Sequence, residues 1–231
     1  MVHHCCPRQS VNAGPAADAV RRFVLEHARL QPLPHVPEIQ LYLADEAVPL
    51  WQKTEEELAE HGAPLPYWAF AWAGGQGLAR YVLDHADVVK DRRVVVFAAG
   101  AGLEAIAAVK AGAASVTASE IDPFARSALA LNAEANAVRY DITEADYLTE
   151  PLPAVDMLLL GDVFFEQPMS DRVNELAIRA AMAGAVVLVG DPGRSYLPRE
   201  RLTQLAEYLV PTTRALEDAD VKRTVVWRFD V

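Results

Sequence analysis

A chain of 231 residues with 52% hydrophobic and 23% charged side chains is long enough, and apolar enough, to bury a full core. Its 32 acidic against 21 basic residues give a net charge of −11, which argues against wholesale binding to phosphate backbones and favours a basic partner. The two cysteines, Cys5 and Cys6, are adjacent, which favours neither a disulfide framework nor a closed thiolate metal site, and no metal site is expected.

In residues 16–30, Val20, Phe23, Val24 and His27 fall at helical spacing behind Asp18, which predicts a first helix. A proline-rich link over Pro32–Pro37 leads to Ile39–Leu43, whose alternation predicts a strand with one wet face. Thr54-Glu55-Glu56-Glu57 has the form of a capping box opening a short helix that ends at Gly62. Residues 1–65 are thus expected to form an N-terminal tail and cap, and residues 66–231 the main body of what is one domain overall. There is no apolar run of signal-peptide or membrane-span length, so the expected compartment is the cytoplasm.

A helix is expected over Gln76–Asp84, and from there apolar runs alternate with amphipathic stretches. Strands are predicted at Val94–Ala98, Ser115–Glu120, Val138–Ile142, Val155–Leu160, Val186–Gly190 and Val221–Phe229. Helices are predicted at Leu103–Ala111, Pro123–Asn136, Met169–Ala183 and Pro198–Leu209, with Pro123 and Pro198 as first-turn prolines. Such alternation implies an α/β fold with a doubly wound, mostly parallel sheet. The last strand alternates as an antiparallel edge strand does.

Ligands in such sheets sit beyond the carboxyl ends of the strands, which selects a short list of residues. Gly100 and Gly102 let backbone approach a ligand, and the helix that follows points its first N–H groups at it. Glu120, about twenty residues further on, is placed to accept hydrogen bonds from a ribose diol. Asp162 and Phe165 follow the apolar run 157–160, where a carboxylate and a ring face can surround an amine. For Asp191, followed by Pro192-Gly193, forming a turn is at least as good a reading as function. Between Tyr67 and Trp72 lie four aromatics ahead of Gly74-Gly75. Trp68 and Phe70 read as a buried plug, and Trp72 as a ligand wall.

Residues 66–76, 94–102, 120–123, 131–132 and 161–165, in this order and spacing, resemble the S-adenosylmethionine-dependent seven-β-strand (class I) methyltransferases. Within that class they are most similar to the protein lysine methyltransferases that include the electron transfer flavoprotein β-subunit lysine methyltransferase group. The resemblance implies a seven-stranded Rossmann-like sheet and S-adenosyl-L-methionine as cofactor. It implies that Gly100 and Gly102 flank the cofactor's methionine end, that Glu120 holds its ribose, that Asp146 lies near the adenine, that Trp72 lies near the cofactor, and that Ile121 and Gly161 also belong to the cofactor-binding set. Asp162 and Phe165 would then meet the acceptor amine. Two departures from the family pattern are Val96, where an acid is usual, and Ala98, where a glycine is usual.

The expected activity is methyl transfer to a lysine of a protein, with electron transfer flavoprotein β subunit or a ribosomal protein as candidate partners by resemblance, and neither nucleic acid nor membrane as partner. The alternatives are a small-molecule amine N-methyltransferase of the nicotinamide type and a non-catalytic cofactor-binding relative. An NAD-dependent oxidoreductase also uses a glycine loop and a ribose acid, but the chain carries no Tyr-x-x-x-Lys pair and no histidine suitably placed at a strand end.

Overall fold

The computed structural model describes residues 15–44 and 65–231. The cysteine pair and the capping box at Thr54 lie outside the described residues. A first helix, α1 (Pro15–His27), leads into an antiparallel hairpin of β1 (Arg29–Leu33) and β2 (Val36–Leu43). The proline-rich stretch is therefore not a link. Pro32 and Pro37 both sit in strands, and a two-stranded ribbon leaves each strand a free edge that a proline tolerates. Val36, Ile39, Leu41 and Leu43 are buried in the main core.

A short 3-10 turn (Tyr67–Ala69) precedes α2 (Ala73–Asp84). The alternating pattern then continues through β3 (Arg93–Phe97), α3 (Leu103–Lys110), β4 (Ser115–Ser119), α4 (Pro123–Ala135), β5 (Asp141–Thr143), β6 (Met157–Gly161), α5 (Met169–Met182) and β7 (Val186–Asp191). β8 (Leu202–Pro211), a single helical turn α6 (Arg214–Glu217) and β9 (Val221–Phe229) close the chain. The seven-stranded sheet has the order β5-β4-β3-β6-β7-β9-β8, with β3 through β7 parallel and the last two strands antiparallel. Strands buried on both faces explain the unbroken apolar runs 94–97 and 157–160.

The predicted helix at Pro198–Leu209 is a strand, entered by a 3-10 turn at Arg199–Arg201. Leu202, Leu205 and Leu209 have helical spacing, but Ala206, Tyr208 and Val210 turn inward while Leu205 and Leu209 face solvent. Pairing with β9 decides it, because that partner supplies the backbone hydrogen bonds that local propensity cannot. The final strand is antiparallel as expected but is not the edge, which β8 occupies. The strand expected at 138–142 forms only over Asp141–Thr143.

Helix α2 also begins three residues earlier than its pattern suggested, so Gly74 and Gly75 lie inside it. They serve close packing. A Cβ on Gly74 would collide with Gly190 O, and one on Gly77 would meet Thr224 Cγ2 at 2.6 Å. The helix thereby rests directly on β7 and β9.

Candidate functional site

Parallel pairing sets Phe97 beside Ser119 and Leu160, and Gly161 beside Gly190, so four strand ends form one rim. The order of connection reverses between β3 and β6, and a crevice opens there. Its cavity volume is about 50 Å3, with the rest of the space open to solvent. Trp72, Gly100, Glu104 and Gly161 are among its walls.

The loop after β3 is held in a left-handed backbone. Ala98 has φ +49°, Gly100 +50° and Gly102 +86°. Gly102 N–H donates to Ala99 O at 2.7 Å, and Ile106 N–H to Gly102 O at 2.9 Å begins the α3 ladder. The N–H groups of Leu103, Glu104 and Ala105 therefore lie outside that ladder, at the positive end of the helix. A Cβ on Gly102 would meet Leu129 Cδ2 at 2.6 Å and Tyr140 Oη at 2.8 Å, so glycine is required there for space as well as for φ.

Glu120 lies at the tip of β4, where Gly100 N–H donates to its Oε2 and Asp122 N–H to its Oε1, both at 3.0 Å. A carboxylate accepts about four hydrogen bonds, so each oxygen keeps capacity for a hydroxyl. Burial raises the Glu120 pKa, against the stabilising N–H donors. Ile121 beside it is 65% exposed, an apolar surface at the rim. These features fit the adenosine half of S-adenosylmethionine: a diol acceptor beside a flat apolar face.

Asn132, fully buried, joins the loop to the hairpin. Its Nδ2 donates to Ala101 O at 2.8 Å while its Oδ1 accepts from Tyr42 N–H at 2.7 Å. One turn on, Asn136 exchanges two bonds with the Gln40 backbone. Two asparagines on α4 thus stand in for a neighbouring strand along the edge of β2.

Asp146 caps a turn, accepting from Leu148 N–H at 3.0 Å. Asp162, in a left-handed conformation at φ +58°, is almost fully buried and doubly engaged. Gly74 N–H donates to its Oδ2 at 2.8 Å, and Arg194 Nε to its Oδ1 at 2.6 Å. Arg194 also donates to Glu217 at 3.0 Å, and Ala73 N–H to the same oxygen at 3.3 Å. Asp191 forms a turn, its Oδ1 accepting from Gly193 and Arg194 N–H. Burial pushes its pKa up to about 6, and its Oδ2 is buried without a partner. The guanidinium therefore serves two carboxylates, Asp162 and Glu217, whose hydrogen bonds and charge hold its own pKa above the usual value against the cost of burial.

Aromatic rings surround the mouth. Tyr67 lies 5.5 Å from Phe165 and 6.1 Å from Trp72, and the Arg194 guanidinium sits 5.9 Å from the Trp72 ring centre. Trp68 is the buried plug expected of it, whereas Phe70 is both buried and part of the crevice wall. Sequence reading missed Arg194, Glu217 and Glu104. Only Glu104 left a signal, as an acid in the first turn of an otherwise apolar helix. It is 7% exposed, and burial pushes its pKa up to about 7, with the nearby Asp162 charge adding to the rise. Among the described residues no His, Cys, Asp and Glu cluster has the makings of a metal site, and no helix is long and apolar enough to cross a membrane.

Residues 78–159 match the family model of ribosomal protein L11 methyltransferase (PrmA), a span from α2 to β6. Over most of its length the chain is similar to electron transfer flavoprotein beta subunit lysine methyltransferases. It is 32% identical to that of Danio rerio, with 98% of this chain and 89% of the relative covered. For the Homo sapiens protein the figures are 33% identity, 84% of this chain and 75% of the relative. A ribosomal protein L11 methyltransferase from Shewanella denitrificans is 36% identical but over only 54% of this chain and 40% of its own. Among solved structures, a Pyrococcus horikoshii protein provisionally assigned as an RNA methyltransferase superposes with TM-score 0.53 at 15% identity, over 78% of this chain and 94% of that one. That likeness speaks for the fold alone.

Proposed function

The chain belongs to the electron transfer flavoprotein beta subunit lysine methyltransferase family, as an S-adenosylmethionine-dependent protein lysine methyltransferase, and on that premise we propose that its acceptor is a lysine of an electron transfer flavoprotein β subunit. The observation that carries the site assignment is the crevice between β3 and β6, with Glu120 tied to Gly100 on one side and an aromatic mouth beside Asp162 on the other. The match to the L11 enzymes supports a ribosomal substrate less well, because residues 78–159 hold the cofactor half and little of the mouth.

When bound, S-adenosylmethionine supplies a methyl group on a cationic sulfur. In our reading Glu120 accepts from the ribose hydroxyls, Ile121 covers one adenine face, and Gly100, Gly102 and Gly161 line the methionine end. Asp146 shapes the turn on the adenine side. Trp72 and Phe165 close the space around the reacting atoms and exclude water. Tyr67 and Phe165 flank the stem of the entering lysine, and Asp162 accepts an N–H bond from its amine through the lone pairs that Gly74 and Arg194 leave open. A free lysine amine, with a reference pKa of about 10.4, enters almost wholly protonated. Burial among aromatics favours its neutral, nucleophilic form. The −11 net charge suits a lysine-bearing protein surface. The compartment we propose is the cytoplasm, supported by the sparing use of cysteine.

The test is methyl transfer from isotopically labelled S-adenosylmethionine into purified electron transfer flavoprotein β subunit, ribosomal protein L11 and a cell lysate, with Glu120→Ala as control. Label on a lysine of the flavoprotein subunit, absent in the control, is the expected result. Label confined to L11 or to small molecules overturns the acceptor assignment.

A further inference from the structure

Among the described residues that line the crevice, Glu104 is the one carboxylate. Two glycines on different elements make room for it. A Cβ on Gly75 of α2 would stand 2.8 Å from Glu104 Oε1, and a Cβ on Gly161 of β6 would overlap that oxygen outright. The carboxylate thus occupies a niche left open by two segments distant in sequence. Among the described residues no hydrogen-bond donor or cation from another residue satisfies it. Its own backbone N–H is the donor it has, and a buried carboxylate so weakly supported is costly; facing a ligand crevice, it has its further partner in the ligand.

We propose that Glu104 is the anchor for the α-ammonium group of the cofactor's methionine half, the anionic member of a two-part amino-acid clamp. The other member is the start of α3, whose Leu103 and Ala105 N–H groups lie outside the helical ladder and suit the α-carboxylate. A zwitterion needs both signs within a few ångströms, and here one helical turn carries both. Asp162 is the less suitable partner for that ammonium, because Arg194 already neutralises its charge. The inference rests on the cofactor reading above and adds to it the residue that recognises the amino group.

The test compares binding of two ligands to the full chain by calorimetry: S-adenosylhomocysteine, and the same molecule without its α-amino group. The unmodified protein should bind the first about ten- to a hundredfold more tightly, the range expected for a charge-assisted hydrogen bond out of solvent. Glu104→Gln should bind the two within about twofold of each other while keeping its affinity for the deaminated ligand. Glu104→Met, apolar and of similar length, gives the same reading should the amide fail to fold. Discrimination that persists in either variant overturns the proposal, as does an equal loss for both ligands, which marks a purely structural role. Failure of the unmodified protein to bind S-adenosylhomocysteine would instead sink the cofactor reading itself.

Discussion

Ala98 carries a side chain at φ +49°, at the point where β3 gives way to the loop. An L-residue in the left-handed region costs about 1–2 kcal/mol, because its Cβ crowds the following carbonyl. Replacing it with glycine removes that strain but returns about 0.4–1 kcal/mol of chain entropy to the unfolded state. Ala98→Gly is therefore expected to stabilise the protein by a net amount of about 0.5–1 kcal/mol, or about 1–4 °C in Tm for a chain of this size. Ala99→Gly is the control. Ala99 is 5% exposed and has no positive φ, so the same chemical change should destabilise by about 0.5–1 kcal/mol. Thermal melts and urea titrations of both variants measure the difference. Because Ala98 lines the crevice, S-adenosylhomocysteine affinity is to be read alongside. A loss of stability in Ala98→Gly as large as in Ala99→Gly would refute the claim that the loop stores strain.

Arg194 neutralises the buried carboxylates of Asp162 and Glu217, so Arg194→Met should cost about 3–5 kcal/mol in denaturant melts, the usual penalty for removing one partner of a buried pair. Asp191 has a folded pKa of about 6 against 3.8 unfolded, so the folded form binds the proton more tightly and stability falls as pH rises from about 4 through 6. Asp191→Asn keeps the acceptor for Gly193 and Arg194 and removes the charge. It should raise Tm at pH 8 and change it little at pH 4; equal shifts at both would show that ionisation is not the cause. Asn132→Asp replaces the donor to Ala101 O with an acceptor. We expect a loss of about 2–4 kcal/mol together with at least about tenfold weaker S-adenosylhomocysteine binding, read by calorimetry.

The amino-acid sequence by itself determined the parallel part of the sheet, because strands buried on both faces must be apolar throughout and the helices between them must be amphipathic. It also placed Pro123 in the first turn of its helix, and located the loop at Gly100–Gly102, since these are local rules of the backbone. The two antiparallel ribbons were less legible. In β8 three leucines at helical spacing outvoted the pattern of Ala206, Tyr208 and Val210, and only pairing with β9 reversed the outcome. The prolines of the hairpin misled because edge tolerance depends on a partner that local sequence does not reveal. At the site, the tip residues could be found by rule, but their partners could not. That Asp162 is bound by Arg194, 32 residues away, and that Gly75 and Gly161 open a niche for Glu104, are consequences of three-dimensional contact. Hydrogen bonding and steric exclusion act over a few ångströms of space, whatever the separation along the chain.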